Sequence, residues 1–291
     1  MRIGALEAGG TKMVCAVGDE TGKILERMQV PTATPEETVP TMIEWFRAQK
    51  IEALGIGCFG PIDLNRQSET YGYITTTPKP NWGYFNMVGA FEEDLRVPVG
   101  FDTDVNASVL GEVTFGQAQG LDTVLYITVG TGIGLGIYTG GKLHHGILHP
   151  EGGHIRLVRH PNDTWKGRCP YHANCFEGLA SGPAILERWG KPADELTSKP
   201  EVWETEAFYI AQALMNYICI LAPEKIILGG GVMRQRQLFP IIRKETARLL
   251  NGYLSVPQLQ HLEDYIVPES LGGDQGILGC IKLGLLELEK K

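Results

Sequence analysis

A two-domain α/β protein is what this sequence predicts, on three observations. The chain has 291 residues, more than one hydrophobic core usually fills. Short apolar runs alternate with amphipathic stretches along its length. A strand, a Gly/Thr-rich turn and a second strand open the chain at residues 1–17, and the same arrangement starts again at Thr123. No low-complexity linker separates the halves, so any hinge is short. Hydrophobic content of 43% and charged content of 21% are ordinary for a globular chain.

Ile3 to Leu6, Met13 to Val17 and Ile24 to Val30 read as a strand meander with turns at Gly9-Gly10 and Asp19 to Gly22. Thr34-Pro35-Glu36-Glu37 starts a helix that runs to about Lys50, with an N-cap residue, Pro at N1 and acids in the first turn. Ala53 to Cys58 is a buried strand ending in Phe59-Gly60-Pro61. A long polar segment runs to Trp82, and a helix follows near 86–95. Val97 to Phe101 is a strand, and a helix follows from about Val105. In the second half, Val124 to Val129 and the run ending at Tyr138 are strands. Helices are expected near 180–189 and 201–221, a strand at Lys225 to Leu228, and a C-terminal helix from Gly276 to Leu288.

A net charge of −8 argues against nucleic-acid binding and gives no hint of a membrane surface. No basic segment followed by an apolar run marks a signal peptide, and no stretch approaches the ~18–20 apolar residues of a membrane span. The longest apolar-rich run, 206–222, is interrupted by Gln212 and Asn216. Cys15, Cys58, Cys219 and Cys280 stand singly in apolar surroundings and read as reduced core residues, which points to the cytoplasm.

His154, Cys169, His172 and Cys175 form a set whose spacing suits a tetrahedral site for a borderline-soft metal, zinc above all. Four protein ligands would leave no open position, so such a zinc is structural. His144, His145, His149 and His160 are near enough to compete for the histidine places. The two cysteines could instead be small buried residues or, in an oxidising compartment, a disulfide. Glu151 precedes the first ligand by three residues and Glu177 follows the last by two, so a closed metal knot would fix both carboxylates on Gly-rich loops.

Three strands run straight into Gly-rich turns: Glu7-Ala-Gly9-Gly10-Thr11-Lys12, Thr128-Val-Gly130-Thr131-Gly132-Ile-Gly134 and Leu228-Gly229-Gly230-Gly231. A bare backbone can approach phosphate oxygens and offer its N–H groups; Thr hydroxyls and Lys12 add donors. None of the three is a P-loop or a dinucleotide fingerprint. The first two occupy matching places in two similar hairpins, which suits two domains that clasp one nucleotide. The third suits the nucleoside end. Between them in sequence, Phe101-Asp102-Thr103-Asp104 ends a strand and opens a helix. One of Asp102 and Thr103 is expected to be the N-cap, which leaves Asp104 in or just before the first turn. A carboxylate there could accept the proton of a hydroxyl attacking a γ-phosphate.

These motifs, in this order and spacing, resemble the ROK family of sugar kinases and sugar-responsive repressors, over nearly the whole chain. The resemblance implies a two-domain actin-like ATPase (RNase H-like) fold with a zinc-containing loop insertion. One lobe would comprise 1–115 plus 275–291 and the other 116–274. It implies ATP, Mg2+, a structural Zn2+ and a homodimer. Asp104 looks like the catalytic base. Gly60, Pro61, Thr103, Asn106, Glu151, His154 and Glu177 look like sugar contacts or their close supports. Glu7, Gly9, Gly10, Thr11, Lys12, Gly130, Thr131, Gly132 and Gly134 look like the phosphate turns, and Pro183 with Gly229, Gly230 and Gly231 like the adenosine contact.

Three departures from the family's pattern stand out: Thr103 where its glucokinases usually carry Asn, Glu7 where they usually carry Asp, and His172 where many members have Cys. The Glu7-Ala-Gly-Gly-Thr-Lys opening, Thr75-Thr-Thr-Pro-Lys-Pro80 and Trp82 resemble the fructokinase branch. The resemblance thus implies phosphorylation of D-fructose to fructose 6-phosphate. The alternatives are a kinase for glucose, mannose or an N-acetyl hexosamine, and a sugar-responsive regulator. The regulator would need an added helix-turn-helix and a basic footprint, for which the expectation is negative.

Overall fold

A computed structural model of the chain describes residues 1–77 and 79–290. Pro78, within the Thr75 to Pro80 stretch, lies outside the described residues. In chain order the elements of the first part are β1 (Ile3–Ala8), β2 (Lys12–Gly18), β3 (Ile24–Pro31), α1 (Pro35–Gln49), β4 (Ala53–Cys58), α2 (Met87–Leu95), β5 (Val99–Thr103) and α3 (Asp104–Phe115). Next come β6 (Val124–Val129), β7 (Ile133–Thr139), β8 (Lys142–Leu143), α4 (Phe176–Ala180), α5 (Gly182–Trp189), α6 (Pro200–Leu221) and β9 (Lys225–Gly229). The chain finishes with α7 (Leu238–Leu250), α8 (Pro257–Gln260), α9 (Leu262–Tyr265), β10 (Ile266–Pro268) and α10 (Gln275–Leu288).

The chain divides into two compact units, one of residues 1–120, 141–150 and 270–291, the other of 121–140 and 151–269. The first unit holds a mixed sheet in the order β3-β2-β1-β4-β5. β2 runs antiparallel to β1 and β3, whereas β1, β4 and β5 run parallel. Ala8 pairs with Cys58 and Cys58 with Thr103, so the turns that follow β1, β4 and β5 emerge at one edge of the sheet. Ligand sites of open α/β sheets form outside the carboxyl ends of parallel strands. That placement gathers Glu7, Gly60-Pro61 and Asp102 to Asp104 in one neighbourhood.

Leu6, Ile56, Phe46, Phe91 and Trp82 are among the buried side chains of this unit's core. Glycine decides how closely α10 approaches on the other face. A Cβ at Gly279 would overlap the carbonyl of Ala107 in α3, and one at Gly55 the carbonyl of Cys280 in α10. Only bare backbone allows that packing.

The second unit repeats the logic with β10-β9-β6-β7, and the two-residue β8 lies beyond β7. β6 and β7 form an antiparallel hairpin, while β9 runs parallel to β6 and β10 parallel to β9. Thr128 pairs with Gly229, which brings the Gly130 turn and the Gly229 turn to one edge. Its core is built round α6, whose buried Trp203, Tyr209, Ile210 and Leu214 meet Phe176 and Leu228.

The expected α/β class holds. The helix expected near 180–189 is α5, and the separate α4 stops before it because the Ser181 side chain accepts the Ala184 N–H and Pro183 cannot extend α4. Thr34 stands at the α1 N-cap without a side-chain capping bond. The third glycine turn leads into a 3-10 turn, Val232–Arg234, before α7 begins. Cys219 is not a core residue. It is exposed on the last turns of α6, next to Ile220 at 77% exposure, because the apolar run of α6 outlasts the core it packs on.

Candidate active site

In the first unit the turn after β1 is closed by Gly9 N–H donating to the Lys12 carbonyl at 3.1 Å. A Cβ on Gly9 would meet that carbonyl at 2.7 Å. Thr32 Oγ1 donates to the Gly9 carbonyl at 2.8 Å, and Lys79 Nζ donates to that of Gly10. Thr11 and Lys12 are exposed at the tip. Two cations, Lys12 and Lys79, therefore serve this turn. The second was visible in the sequence only as part of a branch-specific stretch.

Asp104 is the first residue of α3. Thr103 is its N-cap, with Oγ1 accepting from Asn106 N–H at 3.1 Å. The Asp104 carboxylate accepts from Val105 N–H at 2.9 Å. Burial pushes its pKa from 3.8 up to about 6, opposed by the backbone N–H groups. Glu7, at the end of β1, is pushed from 4.5 up to about 7, first by burial and then by the Asp104 charge, with Lys12 opposing. Both groups keep a partly accessible edge. A carboxylate in such a setting is ionised at neutral pH yet more basic than a free one, which suits proton acceptance.

The same shifts carry a stability consequence. The folded chain holds protons on these acids that the unfolded chain releases, so stability falls as pH rises through the window from about 4.5 to about 7 for Glu7. Glu7→Gln is therefore expected to stabilise the protein at pH 8 by about 2 kcal/mol, allowing for partial solvent access, and to match the parent near pH 4. Urea unfolding at both pH values checks this. Equal stability at pH 8 would remove the buried charge as a destabilising element.

Asp102 was weighed in the sequence only as a cap, and its task is different. Its carboxylate is 4% exposed, and both oxygens are engaged: Oδ1 accepts from Thr103 N–H at 2.8 Å and Asn106 Nδ2 at 2.7 Å, and Oδ2 meets His145 Nε2 at 2.8 Å. Asn106 is completely buried and acts as a brace. His149, whose pKa burial lowers, accepts the Ile62 N–H at 3.1 Å just after Gly60-Pro61. The Pro61 carbonyl takes Thr75 N–H at 2.8 Å and Thr75 Oγ1 at 3.0 Å.

In the second unit the donor atoms of His154, Cys169, His172 and Cys175 all lie within 4.8 Å of one another. His144, His145, His149 and His160 lie outside that group. Cys169 Sγ is 3.9 Å from His154 Nδ1 and 3.8 Å from His172 Nδ1, and Cys175 Sγ is 3.6 Å from His154 Nδ1. Metal bonds of about 2.3 Å to sulfur and 2.0 Å to nitrogen at tetrahedral angles give edges of about 3.6 Å, so this donor set fits zinc. His154 Nε2 faces Glu151 Oε2 at 4.0 Å, longer than a direct hydrogen bond.

Hydrogen bonds link the Cys/His group to the Gly130 turn. Cys175 caps α4, with Sγ accepting from Gly178 N–H at 3.3 Å. Glu177 in that first turn accepts Ile133 N–H at 3.0 Å, at the start of β7. The turn itself is closed by Gly130 N–H to the Gly132 carbonyl at 2.9 Å, and Gly182 N–H ahead of Pro183 reaches the Gly130 carbonyl at 2.7 Å. Thr131 is exposed at its tip, and Gly134 begins the pairing of β7 with Thr128. Gly229 leaves no room for a Cβ beside the Tyr126 hydroxyl, and Gly230 adopts φ +91°. Gly231 has open space where a side chain would be.

These motifs match known proteins over the whole chain. The ROK family model matches residues 3–285. A putative fructokinase of Bacillus subtilis is 52% identical, covering 97% of this chain and 94% of that protein. A fructokinase of Pediococcus pentosaceus is 46% identical over 99% of each. The crystal structure of a ROK hexokinase from Thermus thermophilus superposes with a TM-score of 0.81 at 28% identity, covering 100% of both chains. With the family model matched from residue 3 to 285 and relatives of 46–52% identity matched over nearly their full length, the chain belongs to the ROK family.

Proposed function

We propose that this chain is an ATP-dependent fructokinase that transfers the γ-phosphoryl group of ATP to the 6-hydroxyl of D-fructose. The observation that carries this reading is Asp104. It is a partly buried carboxylate at the first position of α3, with its pKa raised to about 6 and its backbone fixed by the Thr103 cap. It accepts the proton of the attacking hydroxyl as the bond to phosphorus forms. The main-chain amides of Gly9 to Lys12 and of Gly130 to Gly134 hold phosphate oxygens, with Lys12 and Lys79 as cations. Gly229 to Gly231, with Pro183, take the adenosine. Glu151, His154 and Glu177 position sugar hydroxyls or their supports, and Gly60-Pro61 shapes the same acceptor region.

A bound Mg2+ would neutralise phosphate charge, and Glu7 and Asp104 are the nearest paired acids to the first turn. A structural zinc on His154, Cys169, His172 and Cys175 holds the second unit's loops. The homodimer and the cytoplasmic setting belong to the same proposal. No helix among the described residues is long and apolar enough to cross a membrane.

Fructose as acceptor rests on the identity to fructokinases together with the Glu7 opening and the Thr75 to Pro80 stretch. A coupled ADP-release assay over fructose, glucose, mannose and N-acetyl hexosamines tests it. Fructose is expected to give the highest kcat/KM by about tenfold or more, the discrimination that a few hydrogen bonds supply. A higher value for any other sugar would reassign the substrate.

A further inference from the structure

We propose that His145 is a sugar-binding residue that donates Nδ1–H to an acceptor hydroxyl while Asp102 holds it by Nε2; this rests on the kinase reading above. Asp102 itself cannot serve the substrate. Both of its oxygens already accept hydrogen bonds, from Thr103 N–H, Asn106 Nδ2 and His145 Nε2, and its side chain is only 4% exposed. A buried carboxylate of that kind requires a cationic partner, and His145 is the one it has. The bond to Asp102 favours the imidazolium and outweighs the burial of the ring.

The other half of the ring differs. His145 is 37% exposed, and its Nδ1 has no partner among the described residues. The ring stands against Asp102 of β5 and also meets Asn106 Nδ2 at 3.4 Å. A charged donor braced from behind by a buried acid, with its other nitrogen on the exposed side of the ring, suits a neutral polyol hydroxyl. A latch for residues 141–150 is the competing role. That task is already met by His149, which is 4% exposed and bonded to Ile62 N–H at 3.1 Å. The charged or titratable groups facing His145 are Asp102 and His149, and burial keeps His149 neutral.

The test uses the full chain and whichever hexose the parent phosphorylates best, so an error about fructose leaves it intact; a parent that phosphorylates no sugar would instead overturn the kinase reading. His145→Ala is expected to raise the sugar KM about tenfold or more, the worth of one charge-assisted hydrogen bond. The ATP KM stays within about twofold and kcat within about threefold, and His145→Gln recovers part of the loss. Proton NMR of the imidazole supplies a readout independent of turnover. The His145 signal titrates above the ordinary histidine range, moves down in Asp102→Asn, and shifts when sugar is added without ATP. A sugar KM within twofold of the parent in His145→Ala, or an equal rise in the ATP KM, would overturn the assignment, as would a signal that ignores sugar.

Discussion

Replacing Asp104 with Asn is expected to lower kcat by about 10³-fold or more while leaving the fold in place. Asn keeps the shape and can still accept the Val105 N–H that the carboxylate accepts at 2.9 Å. It loses the proton acceptor and the negative charge facing the reacting hydroxyl, and each of these contributes to the rate. The pH profile identifies the cause. With a carboxyl pushed up to about 6, the parent's kcat/KM falls about tenfold for each pH unit below that value. The Asn variant loses that limb. Stability moves the opposite way. Because the folded pKa lies above the unfolded one, the parent loses stability as pH rises from about 4 to about 6, and the variant does not. A variant that is slower but no less stable at pH 8 matches this account. One with near-parental turnover removes Asp104 from the role.

Loss of the metal is expected to be the second large effect. Purified protein should carry one zinc per chain, bound by His154, Cys169, His172 and Cys175. Cys169→Ser, or prolonged chelation, should release it and lower activity about tenfold or more. The connections within the second unit say how. Cys175 caps α4, Glu177 on α4 holds Ile133 N–H, and Ile133 follows directly on the Gly130 to Gly132 turn. His154 faces Glu151 on the other side of the cluster. Freed ligands would therefore raise the KM for both ATP and sugar, in contrast to the sugar-only effect expected at His145. Metal analysis with parallel kinetics decides it. Full activity with well under one zinc per chain would show that the cluster is dispensable.

Much of the fold was legible because its signals are local. The strand meander at the start, α1 with its Pro at N1, and the strands that end in glycine turns each follow from backbone chemistry within a few residues. α7 and β10 escaped because their apolar positions make sense only against α6 and β9, which lie far away in the sequence. Cys219 went wrong for the same reason, since an apolar run does not reveal where the core beneath it stops. Among the site residues, the Cys/His spacing was readable because a metal demands short turns between ligands. Asp102 was not, because a carboxylate before a helix looks like a cap until its partners are seen.

The sequence by itself determined the glycine turns, the position of Asp104 at a helix start and the close spacing of the Cys/His set, all from patterns along the chain. Tertiary structure alone decided the environments. It chose Thr103 over Asp102 as cap, paired Asp102 with a histidine from residues 141–150, buried Asn106 as a brace and tied Glu177 to the Ile133 amide. Spacing fixes which groups can meet within a turn. Proton affinity and hydrogen-bond partnership depend on burial and on neighbours dozens of residues away, which only the folded chain brings together.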